Sequence, residues 1–544
     1  MLPAWGFEEF TIRRGWGRFA DMLADVGYTC LRFDWPGSGD SLGDVETTVS
    51  FSQWKEAFVA AADLLKTNYK IEKLVLVGHG VGGLLAPHFG CALSASAMVL
   101  MAPQNEGRTG LRELDLSGKL IGTYLKLAEQ SSDDVINIAG HSIAKSLAQE
   151  IAALRLGEEH FLHDLPVLTV ARAETRSAID WPHRLRKIGF AVTEFDYAGY
   201  DEFAGYKQAS IAPIRDFERV RDWLLETVAP GDAVSGAEAA PTAQGLEGEG
   251  FRESALVFGQ NDRLFGVLCR SVARPSRAAV ILVNSGDTYH IGWGRMHVAF
   301  ARSLARMGIA SFRIDTSGIG DSQSTGKPLY YDDAQVQDIL EAVQALEGLN
   351  LGPMIVGGLC SGGYASIQTA LCDPRIQGIV AINPVRLAID PEETFEQIMN
   401  AGTSSIAAYR RRILSAKLFK DVLFGRVSVL SIMSKIRQIA GARYVGFTLR
   451  NRLRTKARQQ AEALSQRGVT SIHVFAEGDA GLDELARLFG KREPVDYDHA
   501  AVRIISDTEH NMTAPHARDA ILQAIVDVSL GNQRDAVSKH SVPA

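Results

Sequence analysis

The chain repeats itself. Leu31-Arg32-Phe33-Asp34, followed by Pro36-Gly37-Ser38-Gly39-Asp40-Ser41, returns as Phe312-Arg313-Ile314-Asp315, followed by Ser317-Gly318-Ile319-Gly320-Asp321-Ser322; Arg32 to Arg313 is a displacement of 281 positions. Farther on, the apolar run Leu74-Val75-Leu76-Val77 enters Gly78-His79-Gly80-Val81-Gly82, and Met354-Ile355-Val356 enters Gly358-Leu359-Cys360-Ser361-Gly362; Gly80 to Cys360 is a displacement of 280. Two separate motifs moved by nearly the same distance mark a duplicated module. The length of 544 residues accommodates two such modules, each able to close its own core. Residues 229–250, rich in Ala, Gly, Pro and Glu and without an apolar period, read as the linker between them. The expected organisation is a first module over 1–228, a second over 251–530 and a flexible tail over 531–544.

Within each module short apolar runs alternate with segments of helical period, as where Phe300 to Met307 separates Ala279-Val283 from Ala310-Ile314. That alternation predicts an α/β fold, a mostly parallel sheet with helices on both faces. The second module shows three strand-like runs before its first helix, Ala255 to Gly259, Leu264 to Cys269 and Ala278 to Val283. The first module is too short before Gly80 to hold them all. Either its sheet is reduced or the sequence begins inside a longer natural one.

A strand that ends in Gly-x-nucleophile-x-Gly and opens a helix is a nucleophile elbow, a turn so tight that small residues must flank the exposed central side chain. Cys360 holds that centre. Ser361 is the rival nucleophile, but centring the pattern on it would need a glycine where Leu359 stands. Cys372, before Asp373-Pro374, fits better as a buried packing cysteine. A thiol at a helix N-terminus with an imidazole nearby ionises near neutral pH. The acid expected to orient that imidazole is Asp479, just past the strand-like Ile472-His473-Val474-Phe475, with Asp483 as second choice and helix capping as the plainer role for Asp479. The base is His510, on the loop after Val502-Arg503-Ile504-Ile505. His297, His473 and His516 read as helix, strand and surface residues.

The order Cys360, Asp479, His510 resembles the α/β-hydrolase superfamily, whose triad runs nucleophile, acid, histidine. The Arg-x-Asp segment with its Gly-x-Gly-Asp-Ser loop, together with the elbow, looks most like bacterial hydrolases of the serine-aminopeptidase-like group, including those associated with exosortase and exopolysaccharide systems. A cysteine at the elbow resembles dienelactone hydrolase. The resemblance covers nearly all of 251–530 and, more loosely, 1–228. It implies two tandem α/β-hydrolase modules and an oxyanion hole made by the backbone N–H of Ser361 and one from the loop Asn284-Ser285-Gly286-Asp287, with Asp287 as the first choice of donor.

The first module lacks these tools. Its elbow centre is Gly80, its acid position would be Glu174, and near Gly199-Tyr200-Asp201 no histidine stands at the base position. His79 precedes the elbow centre and is expected to point elsewhere. This half reads as a structural partner covering the second module, or as a substrate-binding, lid-like pseudoenzyme.

In the second module a helical cap is expected over about 392–466. Between Arg410 and Arg458 it carries fourteen Lys and Arg against one acid, Asp421, which leaves −20 on the rest of a chain whose net charge is −7. The cap is either a solvated face or a lure for an anionic acyl donor or a lipid headgroup. The overall acidic balance argues against nucleic acid as a partner. Five scattered cysteines without a paired motif fit free thiols in a reducing cytoplasm and no structural zinc. No apolar run reaches the ~18 residues of a membrane span, and Glu8 and Glu9 interrupt the start where a signal peptide is apolar. The expectation is a cofactor-free esterase or thioesterase acting through a cysteine acyl-enzyme. The alternatives are an acyltransferase to a sugar or other alcohol, and a non-catalytic scaffold.

Overall fold

The structure, a computed structural model, describes residues 1–531 except 44–48, 70, 91–92, 128–130, 162–163, 174–179, 206–209, 232–244, 327–330, 394–397, 399–448 and 491–498. The first module holds β1 (Val75–His79), β2 (Ala97–Met101), a small antiparallel hairpin of β3 (Val135–Ile138) and β4 (His141–Ala144), then β5 (Val167–Ala171) and β6 (Val192–Asp196). Strands β1, β2, β5 and β6 form a parallel sheet in that order. Beside β1, Leu2 makes a single parallel bridge to Gly78. Residues 31–34 pair as no strand, and this parallel sheet has four strands.

The second module holds β7 (Leu246–Gly248), β8 (Phe251–Phe258), β9 (Leu264–Ser271), β10 (Ala279–Val283), β11 (Ala310–Asp315), β12 (Met354–Leu359), β13 (Ile376–Ile382), β14 (Thr470–Ala476) and β15 (Ala500–Ile505). They join in one nine-stranded sheet of order β15-β14-β13-β12-β10-β11-β9-β8-β7. From β15 to β11 the pairing is parallel, while β9, β8 and β7 run antiparallel. The sheet begins at Leu246, inside what composition marks as linker, because β7 pairs with β8 through Leu246–Glu253 and Gly248–Phe251. Helices cover both faces, one core forming around Ile281, Phe312 and Phe475 and another around Leu282, Val380 and Val474.

The duplicated loop is built twice in the same way. Asp34 Oδ2 accepts from the Asp40 amide at 3.1 Å, and Asp315 Oδ2 from the Asp321 amide at 3.0 Å. The Ser41 and Ser322 hydroxyls each donate to the carbonyl of that aspartate at 2.7 Å. A Cβ on Gly39 or Gly320 would lie 2.1 Å from the same carboxylate, which is why the motif needs glycine there. The two loops face each other across the modules: Arg32 pairs with Asp321 at 2.7 Å and Arg313 with Asp40 at 2.6 Å.

Arg313 is fully buried, and its second partner is Glu253, which also binds Arg302. Removing one member of such a buried group strands the other charges. Glu253→Ala is therefore expected to destabilise the second module by about 3–5 kcal/mol, seen as an earlier unfolding transition in urea, with Glu253→Gln intermediate.

Candidate active site

Cys360 sits between the end of β12 and the helix Ser361–Cys372 with φ 56° and ψ −115°, the strained left-handed turn of an elbow. Its amide donates to Ile382 O at 2.8 Å, and its carbonyl accepts from Tyr364 at 3.2 Å, which fixes the turn from both sides. The helix start passes against the neighbouring strand end, where a Cβ on Gly362 would lie 2.7 Å from the Asn284 carbonyl. The thiol stands over that helix N-terminus, whose dipole favours the thiolate.

Asp479 and His510 reach the thiol from two further strand ends. Asp479 caps the helix Ala480–Phe489, its Oδ1 accepting from the Gly481 amide at 2.7 Å, while its Oδ2 accepts from His510 Nδ1 at 2.6 Å. The capping and orienting roles are thus filled by one carboxylate, one oxygen for each. With Nδ1 committed to Asp479, Nε2 is the ring nitrogen left for the Cys360 thiol. Burial pushes the thiol pKa up, but His510, through its charge and its hydrogen bond, outweighs it, helped by the Tyr331 hydroxyl, so the thiol lies below its ordinary value. Burial pushes the imidazole down, yet the thiolate and Asp479 hold it well above its ordinary value. Asp483, in the first turn of the same helix, is not bonded to His510.

Two residues escape sequence reasoning. Tyr331 directs its hydroxyl to within 3.7 Å of Cys360 Sγ. It precedes Asp332, the N-cap of the helix Asp333–Leu346, and nothing in the sequence says that the residue before that cap turns toward sulfur. Asn383, at the end of β13, donates to the His510 carbonyl at 2.7 Å and accepts from the Ala476 amide at 2.8 Å, tying the histidine loop to β14.

Ser361 is buried, and its hydroxyl accepts from the Gly286 amide at 2.9 Å, so it anchors the loop after β10. Asp287 stands on that loop as an exposed residue. His297 is buried in the helix Met296–Arg306, His473 lies in β14, and His516 is exposed. Cys372 is a correction: as the last residue of the helix Ser361–Cys372 it is exposed instead of packed in the core, the burial passing to its neighbour Asp373.

Ligand atoms of His290, Asp315 and Asp321 lie within 4.8 Å of one another, the spacing of a metal cluster. Both His290 nitrogens are already bonded to carboxylates, and Asp321 is held by Arg13 and Arg32, so the charges a cation would neutralise are neutralised.

In the first module the same elbow is built around Gly80, with φ 53° and an amide bonded to Met101 O at 2.9 Å. The space of a nucleophile is filled by Glu8: a Cβ on Gly80 would lie 2.2 Å from its carboxylate. Tyr200, near the base position, donates to Glu8 at 2.9 Å, and burial pushes that carboxyl up to about 7. His79 is buried against Tyr197 at 3.1 Å, and burial drives it down to about 3, so it stays neutral. Glu174 lies outside the described residues.

Of the cap, the described part is chiefly a helix over 449–466. There Arg452 pairs with Asp390 and Glu392, Arg454 donates to Leu488 O and Lys456 to Ile389 O. The basic run from Arg410 to Arg443 lies outside the described residues. Among the described residues no helix is long and apolar enough to cross a membrane.

Comparison with known families matches the alpha/beta hydrolase family over residues 1–244 and the serine aminopeptidase S33 family over 275–457. With the two sheets and two elbows above, the chain is a pair of α/β-hydrolase modules in tandem. No curated protein matches it. Among solved structures it is similar to a Pyrococcus furiosus esterase at 13% identity, with 53% of this chain and 95% of that one covered and a TM-score of 0.34. It is also similar to an esterase from Pyrobaculum calidifontis (17% identity, 52% and 86% covered, TM-score 0.31) and a dienelactone hydrolase from Anabaena variabilis (12%, 52% and 98%, 0.32).

Proposed function

We propose that the second module hydrolyses an ester or thioester through an acyl-enzyme on Cys360. The supporting observation is the Asp479–His510 bond together with a thiol on a strained elbow over a helix N-terminus, whose ionisation His510 favours. The thiolate attacks the acyl carbonyl carbon and forms the C–S bond. The carbonyl oxygen becomes an oxyanion facing the Ser361 N–H and the loop at Gly286-Asp287. The imidazolium of His510 gives its proton to the departing alcohol or thiol as that bond breaks. Water then loses a proton to His510, attacks the thioester carbon and releases the acid, returning sulfur to the thiolate. An alcohol entering in place of water would make the same intermediate an acyl donor. Asp479 keeps the ring in the tautomer both steps need.

The site needs no cofactor for this chemistry, and its place of work is proposed as the cytoplasm. An anionic acyl donor or lipid headgroup stays a proposal tied to the basic run outside the described residues.

Intact-mass measurement after mixing with p-nitrophenyl acyl esters and acyl-thioesters tests the reading. The wild type is expected to gain the acyl mass and Cys360→Ala to gain nothing. Release of free acid marks a hydrolase, and acyl transfer to an added sugar alcohol marks a transferase. No adduct and no turnover on any donor would leave the scaffold reading standing and overturn this one.

A further inference from the structure

The loop after β10 does two things within twelve residues. Its first half meets the elbow, where the Gly286 amide is bonded to the Ser361 hydroxyl. Its second half is gripped by the other module. Tyr289 donates to the Glu9 carboxylate at 3.1 Å, and His290 Nε2 meets Asp40 Oδ2 at 2.6 Å. Trp293 Nε1 donates to Ala139 O at 3.0 Å, and Arg295 donates to the carbonyls of Gly37, Gly39 and Ser41 at 2.7–2.9 Å. Within the second module, His290 is held by Asp315, which takes both its amide, at 2.7 Å, and its Nδ1, at 2.8 Å.

We propose that the first module is a positioning unit for the oxyanion side of the second module's site, with Asp40 and Glu9 acting through His290 and Tyr289 to hold the loop Asn284–Asp287 in place. A module that only covered apolar surface would put its polar contacts where the interface allowed. Here four side chains between positions 289 and 295 are fixed by the first module, three to nine residues from the Gly286 amide. The apolar contacts converge on the same stretch, since Phe7 and Phe10 pack with Tyr289, Ile291 and Trp293. The duplicated Asp40 has thereby become a hydrogen-bond partner of its sister module's loop. Removal of a single oxyanion donor costs about 10²–10³-fold in kcat. Asp40 and Glu9 touch no reacting atom and are positioning residues.

The inference rests on the acyl-enzyme reading, and the test separates the two. Alkylation of Cys360 by iodoacetamide needs the thiolate but forms no oxyanion, whereas acylation by an ester needs both. Asp40→Asn, which keeps the shape and removes the charge, is expected to lower the acylation rate and kcat by about 10–100-fold. KM should stay within about twofold and the iodoacetamide rate should not change, since a lost transition-state contact lowers kcat alone. Tyr289→Phe removes one hydroxyl from an intact ring and serves where Asp40→Asn unfolds; the same ratio should move in the same direction. Equal loss of alkylation and acylation, or no change in either, overturns the positioning role. A wild type that accepts no acyl group overturns the acyl-enzyme reading instead.

Discussion

His510→Ala is expected to cut turnover by about 10²–10⁴-fold and to change the pH dependence of thiol alkylation. In the wild type the thiol is held below its ordinary value and the imidazole well above its own, the two directions that favour a thiolate–imidazolium pair. Sign decides the profile. As pH falls through the thiol pKa, sulfur takes up a proton and alkylation drops; as pH rises through the imidazole pKa, the general acid is lost while sulfur stays ionised. The wild-type alkylation rate should therefore fall off only at a lower pH than it does for an ordinary thiol. Without His510 the largest influence left on the thiol is burial, which raises its pKa, and the Tyr331 hydrogen bond is a smaller counterweight. Alkylation by the variant should be slow at neutral pH and rise only in alkali. Iodoacetamide rates across pH check this, and a variant whose profile matches the wild type would show that something other than His510 ionises the thiol.

What the sequence makes legible is local, and what it hides is contact between distant segments. The elbow at Cys360 and its glycine-centred twin at Gly80 are readable because a turn that tight tolerates few residues, and the structure sets both at positive φ with an amide bonded to the next strand. Asp479 and His510 are readable as polar residues just past strand ends. The repeat of Arg-x-Asp with its glycine loop is equally plain, but its purpose is not. Only the folded chain places Arg32 on Asp321 and Arg313 on Asp40, partners roughly 270–290 positions apart. Glu8 is hidden for the same reason: it sits in an ordinary amphipathic pattern at the start of the helix Phe7–Ala24, and its position in the vacant elbow depends on where that helix docks. Tyr331 and Asn383 carry no pattern of their own. Cys372 misleads because burial of a lone cysteine is a statistical tendency, and the end of its helix faces solvent.

Asp479→Asn separates the two duties of one side chain. Asn caps a helix nearly as well as Asp, so the bond from the Gly481 amide to Oδ1 survives, and stability should change by less than about 1 kcal/mol. The bond to His510 does not survive in the same form. A carboxylate only accepts, and it fixes the proton on Nδ1; an amide can present its NH₂ group, which invites the opposite tautomer and turns the protonated nitrogen toward sulfur. The imidazolium that must form during attack also loses its compensating charge. Turnover should fall by about 10³–10⁴-fold, the scale found when a triad acid becomes its amide. Asp479→Ala should cost similar activity but add about 1 kcal/mol of lost cap. Asp483→Asn, one turn farther along the helix and unconnected to His510, should leave turnover within about twofold. Paired kcat and urea-midpoint measurements on the three variants decide the matter. If Asp479→Asn loses stability while keeping its rate, the carboxylate is a cap alone and His510 takes its orientation from elsewhere, with Asn383 beneath its carbonyl as the residue to test next.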